Sequence, residues 1–197
     1  MIRKIRNAFR HMRDVIVNPR RYFTKIVADG NMEEAMFKAF LYGLLGGVLV
    51  FCLNWLRGAT PTVGGIFTAL IVTPVLAVGI LFVMGGLLML MTEIADGERD
   101  WEIAIKGLAS VFFMYPVILV VNSLAFNCTS LWIISLLVDI YALFLFYNIA
   151  LYCMRGNRAS VLTVIAVIAF FLITVYATDY RMGWFMLKNN PVAHMCL

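Results

Sequence analysis

The sequence predicts an all-α membrane protein: a bundle of five transmembrane helices preceded by an amphipathic helix in the membrane interface. Three observations predict it. The 197 residues are 63% hydrophobic and only 14% charged, against roughly 45–50% apolar and about 25% charged in soluble domains. Several apolar runs exceed the ~18 residues that mark a spanning helix. The runs are continuous rather than alternating, which favours helices over a barrel, the other structure that satisfies its own backbone inside a bilayer.

Residues 1–35 read as a basic cytoplasmic segment. Charges interrupt any apolar core in "MIRKIRNAFRHMRDVIV", so no signal peptide is read there. Ile2, Ile5, Phe9, Met12 and Ile16 recur at steps of three and four, and Arg3, Lys4, Arg6, Arg10 and Arg13 take the remaining arc. That pattern fits a helix whose basic side meets anionic lipid headgroups. An amphipathic helix packed under the bundle has the same pattern, and the sequence leaves both open. Asn18 and Pro19 then read as the N-cap and first residue of a short helix. "DGN" at 29–31 breaks it, and Asn31 with Glu34 reads as a variant capping box for the first span.

Five spans follow at about 36–56, 66–92, 103–123, 130–152 and 160–178, with 179–197 a short extracytoplasmic tail. The second is long for a hydrocarbon core of about 30 Å, so it should tilt, or bend at Pro74. The third carries Pro116. Thirteen of the sixteen Lys and Arg fall on the N-terminal side of the membrane in this arrangement, leaving Arg57, Arg181 and Lys188 opposite. The positive-inside bias therefore sets the N-terminus in the cytoplasm and the C-terminus outside. No internal repeat is legible.

The net charge of +5 does not point to nucleic acid, because eight of the sixteen Lys and Arg are concentrated in residues 1–25, the length of a membrane-surface segment. Cys52, Cys128, Cys153 and Cys196 are far apart and form no CxxC, so neither a disulfide framework nor a zinc site is read. The acidic loop "TEIADGERDWEIA" at 92–104 lacks the Gly and Glu that an EF-hand requires at its sixth and twelfth positions. Gly97 is expected to end the second span, and Asp100 to cap the third with Glu102 on its positive N-terminus. The loop acids could also pair with the basic N-terminal helix. No nucleophile with a base, no phosphate loop and no metal or cofactor motif is present, so an enzyme is not expected.

One polar group stands out. Asp139 lies in the middle of the fourth span, where a charge costs about 2.5–3.5 kcal/mol, so it should face the bundle or a water-filled cavity. At 1.5 Å per residue, Thr73, Tyr115 and Asp139 all lie about 10–13 Å below the outer ends of their helices. Thr73 precedes Pro74 and Tyr115 precedes Pro116, and each proline leaves a carbonyl, on Leu70 and Phe112, without its helical donor. These groups are the candidate intramembrane site. Asp139 reads either as a hydrogen-bonded packing lock or as a proton, ion or substrate site. Asn148, about 180° round the helix, should bond a different helix. Gly43-x-x-x-Gly47 and Gly85-Gly86 are small-residue patches for close helix approach, within the chain or between copies.

"NPRRYFTKI", "GERDWEIAIKGLASVFFMYPVILV" and "DIYALFLFYNIALYCMRGNRASVLTVIAV" follow one another across residues 18–178. This arrangement resembles the Yip (Ypt-interacting protein) family of integral membrane proteins, its short bacterial members in particular. The best local matches are Pro19 to Phe23 and Gly107 with Tyr115-Pro116. Eukaryotic members act in membrane traffic and contact small GTPases through a long cytosolic N-terminal region. Here that region is about 35 residues, and "NPRRYF" stands where the eukaryotic branch has D-L-Y-G-P, so a trafficking role does not carry over. The resemblance implies the fold and a bacterial inner-membrane address, but no reaction. Two functions remain: a non-enzymatic protein organising membrane or recruiting partners at its cytoplasmic face, alone or as a homo-oligomer, and a small transporter or channel centred on Asp139.

Overall fold

The computed structural model describes residues 15, 17, 19–23, 31–127 and 131–188, and every regular element among them is helical. Helix α1 is Met32–Leu56. Asn31 opens it, its side-chain oxygen accepting the Glu33 N–H at 3.5 Å. The Glu34 carboxylate pairs with Lys38 at 3.0 Å, one turn on. The cap is therefore present, and its acidic partner is engaged along the helix.

The second span is one run, Val63–Ile94, built of α2 (Val63–Phe67), a π turn (Thr68–Val72) and α3 (Thr73–Ile94). Thr62 caps α2 by accepting the Gly65 N–H at 3.1 Å. The π turn sits immediately before Pro74 and carries the Thr73 N–H to the Thr68 carbonyl. Extra residues in such a turn are one way for a helix to absorb a proline that has no N–H to give.

The third span is broken. Helices α4 (Trp101–Val111) and α5 (Met114–Asn127) meet at a 53° bend rather than running on as one helix. Pro116 lies in the first turn of α5, where proline is tolerated. The carbonyl of Phe112, expected to lack a donor, accepts the Tyr115 N–H at 3.0 Å instead. The break thus repairs the defect that the proline creates. Helix α6 is Trp132–Tyr152, and α7 runs Arg158–Lys188, beyond the expected end at 178. Four helices are long and apolar enough to cross a membrane, and the bent pair α4–α5 is a fifth candidate.

The glycines of "GLLGG" explain the packing of α1, which lies against α3, α4 and α5. A Cβ on Gly43 would stand 2.5 Å from the Ala77 Cβ, and one on Gly47 would stand 2.3 Å from the Ala69 carbonyl oxygen. On the adjoining face, a Cβ on Gly46 would come within 3.2 Å of the Pro116 Cα. The patch is therefore used within the chain, seating the α3 and α5 backbones on either side of α1. Gly85 and Gly86 make room for the Trp101 indole, which stacks on Phe82 with ring centroids 6.2 Å apart.

Burial is polarised along the bundle. Leu81, Leu88, Ile105, Leu145, Ile149, Met154 and Val161 are fully buried. All lie toward the end that carries the 95–100 and 153–157 connections. We refer to it as the basic end, because Arg20, Arg21, Arg99, Arg155 and Arg158 are exposed there. In the other half of α6, only Ser135 is buried among 132–144, and on α7 only Val161 is buried among 158–175.

Candidate functional site

Two places concentrate polar groups: a seam between α5 and α6, and the basic end. On α6, Ser135 and Asp139 are one turn apart and share a face. On α5, Tyr115 and Asn122 are two turns apart and also share one. Ser135 is buried and its hydroxyl donates to the side-chain oxygen of Asn122. That bond fixes the antiparallel register. With Asn122 opposite Ser135, Asp139 falls level with Ile118 and Tyr115 with Ala142, so the two sites differ in depth by about 4–5 Å.

Asp139 is half-buried on this seam, and the Tyr115 ring stacks on Phe112 at 5.2 Å between centroids. Thr73 packs on α1: its hydroxyl donates to the Thr68 carbonyl at 2.9 Å, and its Cβ faces Gly47. Asn122 and Ser135 are members of the seam that sequence reasoning missed. Their spacing from Tyr115 and Asp139 was the available signal, but only the pairing of α5 with α6 makes it informative. Asn148 is buried, and its amide donates to the Phe144 carbonyl of its own helix at 2.7 Å, not to a different helix as expected. A buried amide can satisfy a donor this way without any interhelical partner.

The basic end is built from Val15, residues 19–23 and two loops. Val15 and Phe23 are fully buried. The Cys153 thiol donates to the Phe23 carbonyl at 3.5 Å. The Arg20 guanidinium stands over the Tyr152 ring, 5.7 Å from its centroid, a cation–π contact. This stretch is thus packed against the end of α6. Arg3, Lys4, Arg6, Arg10 and Arg13, the expected lipid-contact residues, lie outside the described residues, as does the Asn18 cap.

The loops interlock through their backbones. The Glu98 N–H donates to the Met154 carbonyl at 2.7 Å, and the Asn157 N–H donates to the Ala95 carbonyl at 2.8 Å. Asp96 and Arg155 take left-handed conformations, with φ of 52° and 53°. Such angles cost a non-glycine residue roughly 1–2 kcal/mol each, so the surrounding bonds must hold them. Asp96, not Gly97, therefore makes the turn that ends α3. Glycine is needed at 97 for a different reason: a Cβ there would stand 2.8 Å from the Met154 carbonyl oxygen and 3.1 Å from the Gly156 Cα.

Asp100 caps α4 as expected, accepting the N–H groups of Glu102 at 2.8 Å and Ile103 at 3.1 Å. The loop acids have basic partners close by: Glu98 with Arg155 at 2.7 Å, Glu102 with Lys106 at 2.7 Å, and Glu93 with Arg99. The exposed pairs Glu98–Arg155 and Glu93–Arg99 contribute at most about 1 kcal/mol each and orient the loops more than they stabilise them, while Glu102–Lys106 lies within α4. Among the described residues, no three His, Cys, Asp or Glu side chains are grouped to hold a metal ion. Compared with known proteins, the chain matches no family model, no curated protein and no solved structure.

Proposed function

We propose that the chain is a non-enzymatic, Yip-like protein of a bacterial inner membrane. In this reading it crosses the membrane five times, N-terminus in the cytoplasm and C-terminus outside. Its basic end is a fixed cytoplasmic face that meets anionic headgroups and receives partner proteins. One observation carries the reading: Val15 and Phe23 are fully buried while Arg20 and Arg21, beside Phe23, remain exposed. A basic segment held rigidly in this way presents its charges without paying the entropy of ordering them at each encounter. The test compares the intact protein with an Arg20→Gln/Arg21→Gln variant in nanodiscs of phosphatidylglycerol or phosphatidylcholine. The anionic lipid should raise the melting temperature of the intact protein more than that of the variant. Equal responses to the two lipids in both proteins would refute the reading.

The Asn122–Ser135 bond favours keeping the second reading, a small transporter or channel, because it adds polar groups to the seam that carries Asp139 and Tyr115. Single cysteines at Asp139 and Phe144, in a chain freed of its native cysteines, distinguish the two. An impermeant thiol reagent that labels position 139 from outside, and not position 144, would favour the transporter.

A further inference from the structure

We propose that residues 95–98 and 154–157 form a pseudo-two-fold clasp that fixes the basic ends of two helical hairpins, α3–α4 and α6–α7, to each other, so that conformational change is confined to the opposite half of the bundle. The two four-residue stretches are equivalent position by position. Each has its second residue in the left-handed region and glycine third: Asp96-Gly97 in one, Arg155-Gly156 in the other. In each, the fourth residue donates its N–H to the carbonyl of the first residue of the other loop. One rotation by half a turn exchanges the two hydrogen bonds.

The same rotation exchanges the helices. Helix α3 packs on α4 and on α7, while α6 packs on α7 and on α4. The hairpins are thus related about an axis along the bundle, the arrangement of parallel repeats in membrane proteins. No such repeat is legible in the sequence, because apolar residues interchange freely on lipid-facing surfaces and only a Gly in each loop survives as a mark.

Two further observations say where motion is left. Large buried side chains gather beside the clasp and thin out away from it. Both helix interruptions, the π turn at 68–72 and the bend at 112–113, lie between the clasp and the opposite end. Mid-helix irregular turns of this kind are frequent at functional sites and hinges.

Distances between paired spin labels in nanodiscs test the proposal. Cys52, Cys128, Cys153 and Cys196 are first replaced by Ser, which at 153 keeps a donor for the Phe23 carbonyl. One pair is placed at the basic end by Arg99→Cys and Ala159→Cys, and another at the opposite end by Val63→Cys and Ile133→Cys. The basic pair should give one narrow distance, and the opposite pair a broad or multiple one. A broad basic pair, or an opposite pair as narrow as the basic one, would overturn the proposal. Adding Gly97→Ala should broaden the basic pair, and no change would mean that the loops merely touch. Should that variant not fold, amide hydrogen exchange on the unaltered chain decides. Glu98 and Asn157 should be as protected as core amides, and fast exchange at either would overturn the clasp.

Discussion

Replacing Gly47 with alanine tests the packing logic at its tightest point. The added Cβ would lie 2.3 Å from the Ala69 carbonyl oxygen and 3.0 Å from the Thr73 Cβ. Non-bonded heavy atoms settle near 3.5–4.0 Å, so α1 and α3 must separate by about 1 Å. Neither neighbour has a flexible end that can swing aside. Overpacking of this kind costs about 1–3 kcal/mol, and the severity of the contact points to the upper part of that range. Alanine returns about 1 kcal/mol of helix propensity. The net expectation is a loss of about 2 kcal/mol, or a melting temperature lower by about 4–8 °C at this chain length. Gly79→Ala is the control, because a Cβ there meets nothing within 4 Å. It should be neutral or slightly stabilising. Thermal unfolding in detergent, followed by circular dichroism, measures both. An unchanged melting temperature for Gly47→Ala, or an equal loss for Gly79→Ala, would refute the reasoning.

Burial beneath Phe23 pushes the Cys153 thiol up from 9.0 to about 12. Cys153 should therefore resist N-ethylmaleimide at neutral pH in the native protein, unlike the exposed Cys52, and react only on unfolding, as peptide mapping would show. Between pH 9 and 12 the unfolded chain releases this proton while the folded chain keeps it, so the stability contributed by the site should fall as pH rises through that window. Phe23→Ala removes a fully buried ring from under the bundle, at a cost of about 3–5 kcal/mol. Trypsin should then cut at Arg20 and Arg21 faster than in the unaltered protein, and equal cleavage would mean that Phe23 is not the anchor.

The helices were legible because hydrophobic length alone decides them in a membrane, and the Asp100 cap was legible because its rule is local. What the sequence hid was non-local. The break at Phe112–Phe113 depends on how the chain repairs the proline defect, and a straight kinked helix would satisfy the same residues. Asn148 misled because an amide in a span can turn back on its own helix as readily as across to another. Asn122 and Ser135 carried no signal until α5 and α6 were paired. The loop pair was the least legible feature, because "ADGE" and "MRGN" share one residue type and a backbone shape. Gly97 was expected to end the helix, but Asp96 makes the turn and Gly97 permits the approach of the second loop.

The proposed function rests most directly on the side of the membrane that the basic end faces. Single cysteines at Ala59, in the loop after α1, and at Arg99, in the loop after α3, are exposed reporters at opposite ends of the bundle. Each is challenged with an impermeant thiol reagent in intact cells and again after lysis, in a chain without its native cysteines. The proposal expects position 59 to be labelled in intact cells and position 99 only after lysis. Labelling of position 99 in intact cells, with position 59 protected, would place the basic end outside and contradict it.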